Sequence, residues 1–168
     1  MRLIAVAILL SSCALAQTGV PAVGCGPQDV AFTVSADKSQ HPTPAPPEGE
    51  AVLYVFGTNR FPGWGFEGDL GVDGRWVGAV TRGRDYFVLP ISPGEHHLCA
   101  RVVSRTGPFL IPALKTDDTS NYFLRTKPGE TYYLTLRVGR HSGFLQLLDP
   151  DKGKRLLASS TFTTSRIK

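Results

Sequence analysis

Leu70-Gly71-Val72-Asp73-Gly74-Arg75-Trp76-Val77 is the stretch whose reading decides the fold. Apolar residues alternate with others on both sides of an Asp-Gly pair. A two-residue type I′ turn needs positive φ at both central positions, which aspartate tolerates and glycine adopts freely. Its twist matches that of two flanking strands, so the stretch predicts a β-hairpin closed at Asp73-Gly74.

Strand signals continue in both directions from the hairpin. Upstream, Ala51-Val52-Leu53-Tyr54-Val55-Phe56 is an unbroken apolar, β-branched and aromatic run, the pattern of a strand buried on both faces. Between this run and the hairpin lies a glycine-rich aromatic stretch, Gly57 to Gly68. Downstream, Tyr86-Phe87-Val88-Leu89 reads as a strand ended by Pro90. Pro93-Gly94-Glu95 and Pro128-Gly129-Glu130 then read as two turns of one design, with proline presetting φ and glycine taking positive φ. Each feeds a strand, Leu98 to Val103 and Tyr132 to Val138, with Asn121–Leu124 between them and Phe144–Leu148 after them. Asp149-Pro150-Asp151 opens a short helix through Leu157, because proline is favoured in a helix's first turn. Strands at roughly ten-residue spacing, punctuated by Gly and Pro, indicate an all-β fold, a small antiparallel β-sandwich of some seven to nine strands.

The segment before this domain has a different texture. Val30, Phe32 and Val34 alternate as a strand, and then His41-Pro42-Thr43-Pro44-Ala45-Pro46-Pro47 follows. Prolines at this density cannot donate to a central sheet and favour an extended spacer. The Pro44-x-x-Pro47 spacing lacks flanking specificity residues, so the segment reads as a linker more than as a recognition motif. The expected organisation is a signal peptide over 1–16, an arm and linker over 17–50, and the sandwich over 51–168.

Arg2, the uncharged run Leu3 to Leu10 and the small residues after it make the three parts of a secretory signal peptide. The run is too short for a membrane span, which takes ~20 residues. Ala14-Leu15-Ala16 is an A-x-A site that places cleavage between Ala16 and Gln17. Leu10-Ser11-Ser12-Cys13 competes with it as a lipobox, which would diacylate Cys13 and tether the domain to a membrane. Either processing leaves Cys25 and Cys99, an even pair in an exported chain and so a disulfide candidate that would staple the arm, the alternative being two unpaired thiols with one buried in the core.

Composition excludes several classes. The 168 residues hold 18 glycines and 13 prolines, too many for a coiled coil or helical bundle, and 42% hydrophobic residues, enough for one core. The net charge of +4 falls to +3 once Arg2 is removed, and its arginines are scattered, so no nucleic-acid footprint is expected.

Ala51-Val52-Leu53-Tyr54-Val55, Val72-Asp73-Gly74 with Val77-Gly78, Tyr86-Phe87, Pro93-Gly94-Glu95-His96-x-Leu98 and Gly129-x-Thr131-Tyr132-Tyr133 occur in this order. Over about residues 50 to 157 the chain resembles an uncharacterised bacterial family of envelope proteins and lipoproteins, a domain of unknown function. The resemblance implies an immunoglobulin-like or transthyretin-like sandwich and brings no catalytic residues with it. The proline-rich arm with Cys25 and the aromatic stretch 57–68 depart from the family pattern.

Chemistry is sparse. Adjacent side chains on a strand point to opposite faces, so His96 and His97 cannot readily share a metal. His96 is expected as a hydrogen-bonded core histidine and His97 as a surface one. Asp73 is accounted for by its turn, and Asp117-Asp118 and Asp149-Pro150-Asp151 lack the ligand alternation of a calcium loop. No Gly-x-Ser-x-Gly elbow occurs. No catalytic residue, metal or cofactor is expected. Phe61, Trp64 and Phe66 are the candidate contact residues, since aromatics on a glycine-rich loop either stack on a ligand or cover an edge of the core. These readings converge on an exported, non-enzymatic module that contacts an envelope protein or surface component. The alternative is a carbohydrate- or small-ligand-binding module using the aromatic loop.

Overall fold

A computed structural model describes residues 24–59, 66–81, 83–104, 120–138 and 143–168. Among them lie ten strands and one helix: β1 (Phe32–Asp37), β2 (Ala51–Asn59), β3 (Phe66–Val72), β4 (Arg75–Val80), β5 (Asp85–Ile91), β6 (Gly94–Ser104), β7 (Ser120–Thr126), β8 (Thr131–Val138), β9 (Gly143–Leu148), α1 (Pro150–Ala158) and β10 (Thr161–Ile167). Six strands pair in the order β1-β10-β5-β2-β8-β9 and four in the order β4-β3-β6-β7. The fold is an all-β sandwich with a short helix near the C-terminus.

The predicted hairpin closes as its chemistry requires. Asp73 has φ 49° and Gly74 φ 78°, and β3 and β4 pair antiparallel on either side. The run Ala51 to Phe56 is buried throughout because two different layers cover β2. Leu53 and Val55 face the second sheet, packing with Leu70, Leu98, Leu134 and Leu136. Val52, Tyr54 and Phe56 face the other way, into a separate cluster with Tyr86, Tyr133, Leu148 and Leu157 of α1. Full burial of each such side chain contributes roughly 1.5–3 kcal/mol. A helix therefore stands on the outer face of the six-stranded sheet. Its N-cap is Asp149, whose carboxylate accepts from Lys152 N at 2.9 Å, with Pro150 in the first turn.

The expected sandwich is present and mostly antiparallel, with two parallel pairs within it, β2 with β8 and β10 with β5. Other expectations are corrected. The described residues alone hold ten strands rather than seven to nine, chiefly because Thr161–Ile167 forms a strand that its threonine-rich, weakly alternating sequence does not announce. The strand expected around residues 30–34 in the arm is β1, which pairs with β10 along its whole length and forms the edge of the six-stranded sheet. The sheet thus draws on residues before 51. Pro90 does not end its strand, which runs on to Ile91. β10 pairs only with Asp85 and Tyr86, so Pro90 sits where β5 has no neighbour on that side and its missing N–H costs no ladder bond. The two Pro-Gly-Glu segments also differ. Gly129 has φ 74° in a turn closed by Glu130 N donating to Lys127 O, whereas Gly94 has φ 138° and opens β6 directly. The ends of the stretch 57–68 are strand, in β2 and β3.

On the β1 side the two sheets are tied together. Phe32 of β1, Trp76 and Ala79 of β4 form a third buried cluster with Cys25, Val30 and Val34 against it. The Ser165 hydroxyl accepts from Ala79 N at 2.9 Å and donates to Ala79 O at 3.0 Å, joining β10 to β4.

Candidate functional site

Of the residues singled out from the sequence, Cys13, Ala16, Gln17, Phe61 and Trp64 lie outside the described residues, as does Asp117-Asp118. Phe66 opens β3, one residue beyond the segment 60–65 that joins it to β2.

Cys25 and Cys99 are joined by a disulfide with their Cα atoms 5.7 Å apart. Cys99 lies on the outer face of the four-stranded sheet, opposite Gly71 on β3. Residues 24–31 cross that face and are held at further points. Trp76 Nε1 donates to Pro27 O at 2.8 Å. Arg101 donates to Gln28 O at 3.2 Å and to Val30 O, and its Nε donates to the buried Asp69 carboxylate at 2.8 Å. The guanidinium also lies 4.2 Å from the Trp76 ring centre. Guanidinium and indole hold backbone carbonyls of the arm and the carboxylate orients the guanidinium, so this cluster is a clamp.

His96 and His97 separate as strand geometry demands. His96 is buried, with Nδ1 2.7 Å from Asp73 Oδ2 and Nε2 2.7 Å from Ser92 O. Both acceptors are served together only when the ring carries both protons. The Asp73 carboxylate also accepts from His97 N at 2.9 Å. Partial burial raises the Asp73 carboxyl, but the bonds from His96 and His97 N outweigh it and hold it below its ordinary value of 3.8. His97 is half-buried, its Nε2 3.0 Å from Asn121 Oδ1 and its ring 5.2 Å from Phe123. A carboxylate and an imidazole in contact invite a catalytic reading. Here the imidazole's second nitrogen is taken by a backbone carbonyl, and the pair locks the β3–β4 turn onto β6. Among the described residues no group of three or more His, Cys, Asp or Glu side chains could hold a metal ion.

The third site was not foreseen. On the outer face of the six-stranded sheet, Tyr54, Phe56, Tyr86 and Tyr133 form a continuous aromatic floor. Tyr54 stacks on Tyr133 at 5.4 Å between ring centres, Tyr54 and Tyr86 are 6.2 Å apart, and Phe56 and Tyr86 are 6.0 Å apart. Phe162 of β10 lies 5.6 Å from Tyr86. α1 covers the Tyr133 end, and the proline-rich segment covers the other. The Tyr54 hydroxyl points to Pro44 O at 3.5 Å and the Tyr86 hydroxyl to Pro42 O at 3.3 Å. His41 packs on Tyr86 at 5.4 Å, and its Nε2 lies 2.9 Å from Leu157 O at the end of α1. The segment expected as a spacer is a strap seated on the sheet. Its partners are 10 and 44 residues away in sequence, so no local pattern marks it. Burial pushes the Tyr86 phenol up to about 12 and raises Tyr54 and Tyr133 as well.

No family model, no curated protein and no solved structure matches this chain.

Proposed function

We propose that the chain is an exported, non-enzymatic β-sandwich module that works by contacting a protein or another component of the cell envelope. The observation that carries the reading is the Cys25–Cys99 disulfide. Such bonds persist in oxidising compartments and are rare in reducing ones, and the amino-terminal sequence has the three parts of an export signal. The non-enzymatic part is supported by what the polar side chains do. Asp73 and His96 secure a turn, while Asp69 and Arg101 secure the N-terminal arm. Membership of an envelope and lipoprotein family, suggested by the ordered motifs between residues 50 and 157, is part of the same proposal.

Expression of the whole chain in an exporting bacterial host, followed by intact mass measurement without reductant, tests the reading. The expected product begins at Gln17 and carries no alkylatable thiol. A chain retained in the cytoplasm with free Cys25 and Cys99 would overturn it, and an N-terminus at Cys13 bearing a diacylglyceryl group would make the module a lipoprotein. A glycan array addresses the ligand-binding alternative: specific binding abolished by Trp64→Ala would replace the interaction reading with one centred on the aromatic loop.

A further inference from the structure

The contacts of the strap repeat a known mode of peptide recognition. Proline-rich ligands adopt polyproline II, whose carbonyls have no internal hydrogen-bond partner, and they dock on aromatic floors. Residues 41–47 have this composition, with trans peptide bonds throughout, and they lie on such a floor. The spacing also agrees. Two residues of polyproline II advance about 6.2 Å, and the tyrosines that reach Pro42 O and Pro44 O have ring centres 6.2 Å apart. Beyond His41, whose Nε2 lies 2.9 Å from Leu157 O, the strap's hydroxyl contacts of 3.3 and 3.5 Å are longer than the usual 2.7–2.8 Å, and Thr43, Pro44 and Ala45 are exposed. Lys38, just before it, is exposed too.

We infer that the outer face of the six-stranded sheet, floored by Tyr54 and Tyr86, is a docking surface for a proline-rich segment of another protein, and that residues 41–47 occupy it as a competing ligand in cis. A tethered ligand of this kind acts at an effective concentration near the millimolar range. It sets a threshold that a partner crosses with a better-matched proline segment or at a concentration above that of the tethered one. The inference rests on the interaction-module reading and names its partner class. Peptide binding and export are read in separate assays, so either can fail while the other stands.

The test uses the whole chain with its disulfide intact and a synthetic peptide of residues 41–47, with an all-serine version of that peptide as control. In a chain carrying Pro42→Ser, Pro44→Ser, Pro46→Ser and Pro47→Ser, the proline peptide binds saturably and the serine peptide does not. On the native chain its apparent affinity is at least tenfold weaker. Adding Tyr54→Phe and Tyr86→Phe to the serine-strap chain weakens binding roughly fivefold to a hundredfold, the range for losing two neutral hydrogen bonds with the rings retained. A folded serine-strap chain that binds neither peptide, or both alike, overturns the inference. Should that variant fail to fold, the native chain supplies the test. Saturating proline peptide is expected to accelerate tryptic cleavage at Lys38 at least threefold by lifting the strap, and an unchanged rate overturns the inference. A native dimer that the peptide dissociates would also overturn it, in favour of the strap of a second copy.

Discussion

At Gly153 a single methyl group decides whether α1 can lie on its sheet. A Cβ there would stand 2.1 Å from Tyr133 Cγ and 2.5 Å from Tyr133 Cβ, the stem of a stacked ring with little room to move. Alanine favours a helix over glycine by about 1 kcal/mol, yet overpacking typically costs about 1–3 kcal/mol. Gly153→Ala is therefore expected to destabilise the protein, with a lower urea midpoint at unchanged slope. Asp73 gives a second prediction at this scale. Its carboxyl sits below the ordinary 3.8 in the folded chain, so its contribution is present above that pH and is lost as pH falls through the depressed folded value. Asparagine tolerates the same positive φ but carries no charge. Urea unfolding of the parent and Asp73→Asn should differ most at neutral pH and converge as pH drops below 3.8. A gap that stays constant in acid would refute the assignment of that stability to the ionised Asp73.

Among the elements, the N-terminal arm is fixed by one covalent bond in addition to its hydrogen bonds. The disulfide closes a separation of 74 residues, and a loop of that length is worth roughly 4 kcal/mol on the chain-entropy model. Cys25→Ala with Cys99→Ala should lower stability by up to that amount, measured by urea unfolding followed through tryptophan fluorescence. Trp76 and Arg101 would still hold Pro27 and Val30, so the arm is expected to stay docked until global unfolding. What the sequence made legible divides along this scale. The Asp73-Gly74 hairpin and α1 were readable because their signals are local: a turn that needs positive φ, and an Asp-Pro cap. The cysteine pair was readable from compartment and number alone. β10 was not, because Thr161–Ile167 owes its place to pairing with β1 and to single bonds such as Thr163 Oγ1 to Tyr86 O at 3.0 Å. The parallel partnership of β2 with β8 joins residues some eighty positions apart in sequence, beyond any window of periodicity. The strap was misread for the same reason: prolines announce an extended conformation, while the tyrosines that bind it lie on strands read separately.

Across the whole molecule, the six-stranded sheet is stabilised on two faces by chemically different layers, and alkaline pH acts chiefly on one of them. The layer shared with the second sheet is mainly aliphatic, built on residues such as Leu53, Leu70 and Leu134, with Phe87 within it and Tyr132 against it. The layer under α1 and the strap is phenolic, and burial holds Tyr86 at about 12 and Tyr54 and Tyr133 above the ordinary 10. For an acid whose folded value is raised, the favourable contribution is complete below the unfolded value and disappears as pH rises through the folded one. Stability is therefore expected to fall between pH 10 and about 12, as buried phenolate would have to form beneath the strap. Tyr86→Phe keeps the ring contacts to Tyr54, Phe56 and Phe162 and removes the titrating group. It should shift the alkaline unfolding midpoint upward while weakening the hold on Pro42. Phenolate absorbance and near-ultraviolet circular dichroism, followed together against pH, separate the causes. If buried phenols drive the transition, the late tyrosines ionise at the pH where tertiary signal is lost, and both events move together in the variant. Late ionisation without loss of tertiary signal would show that the aromatic face admits hydroxide while folded, and would refute a strap that seals it.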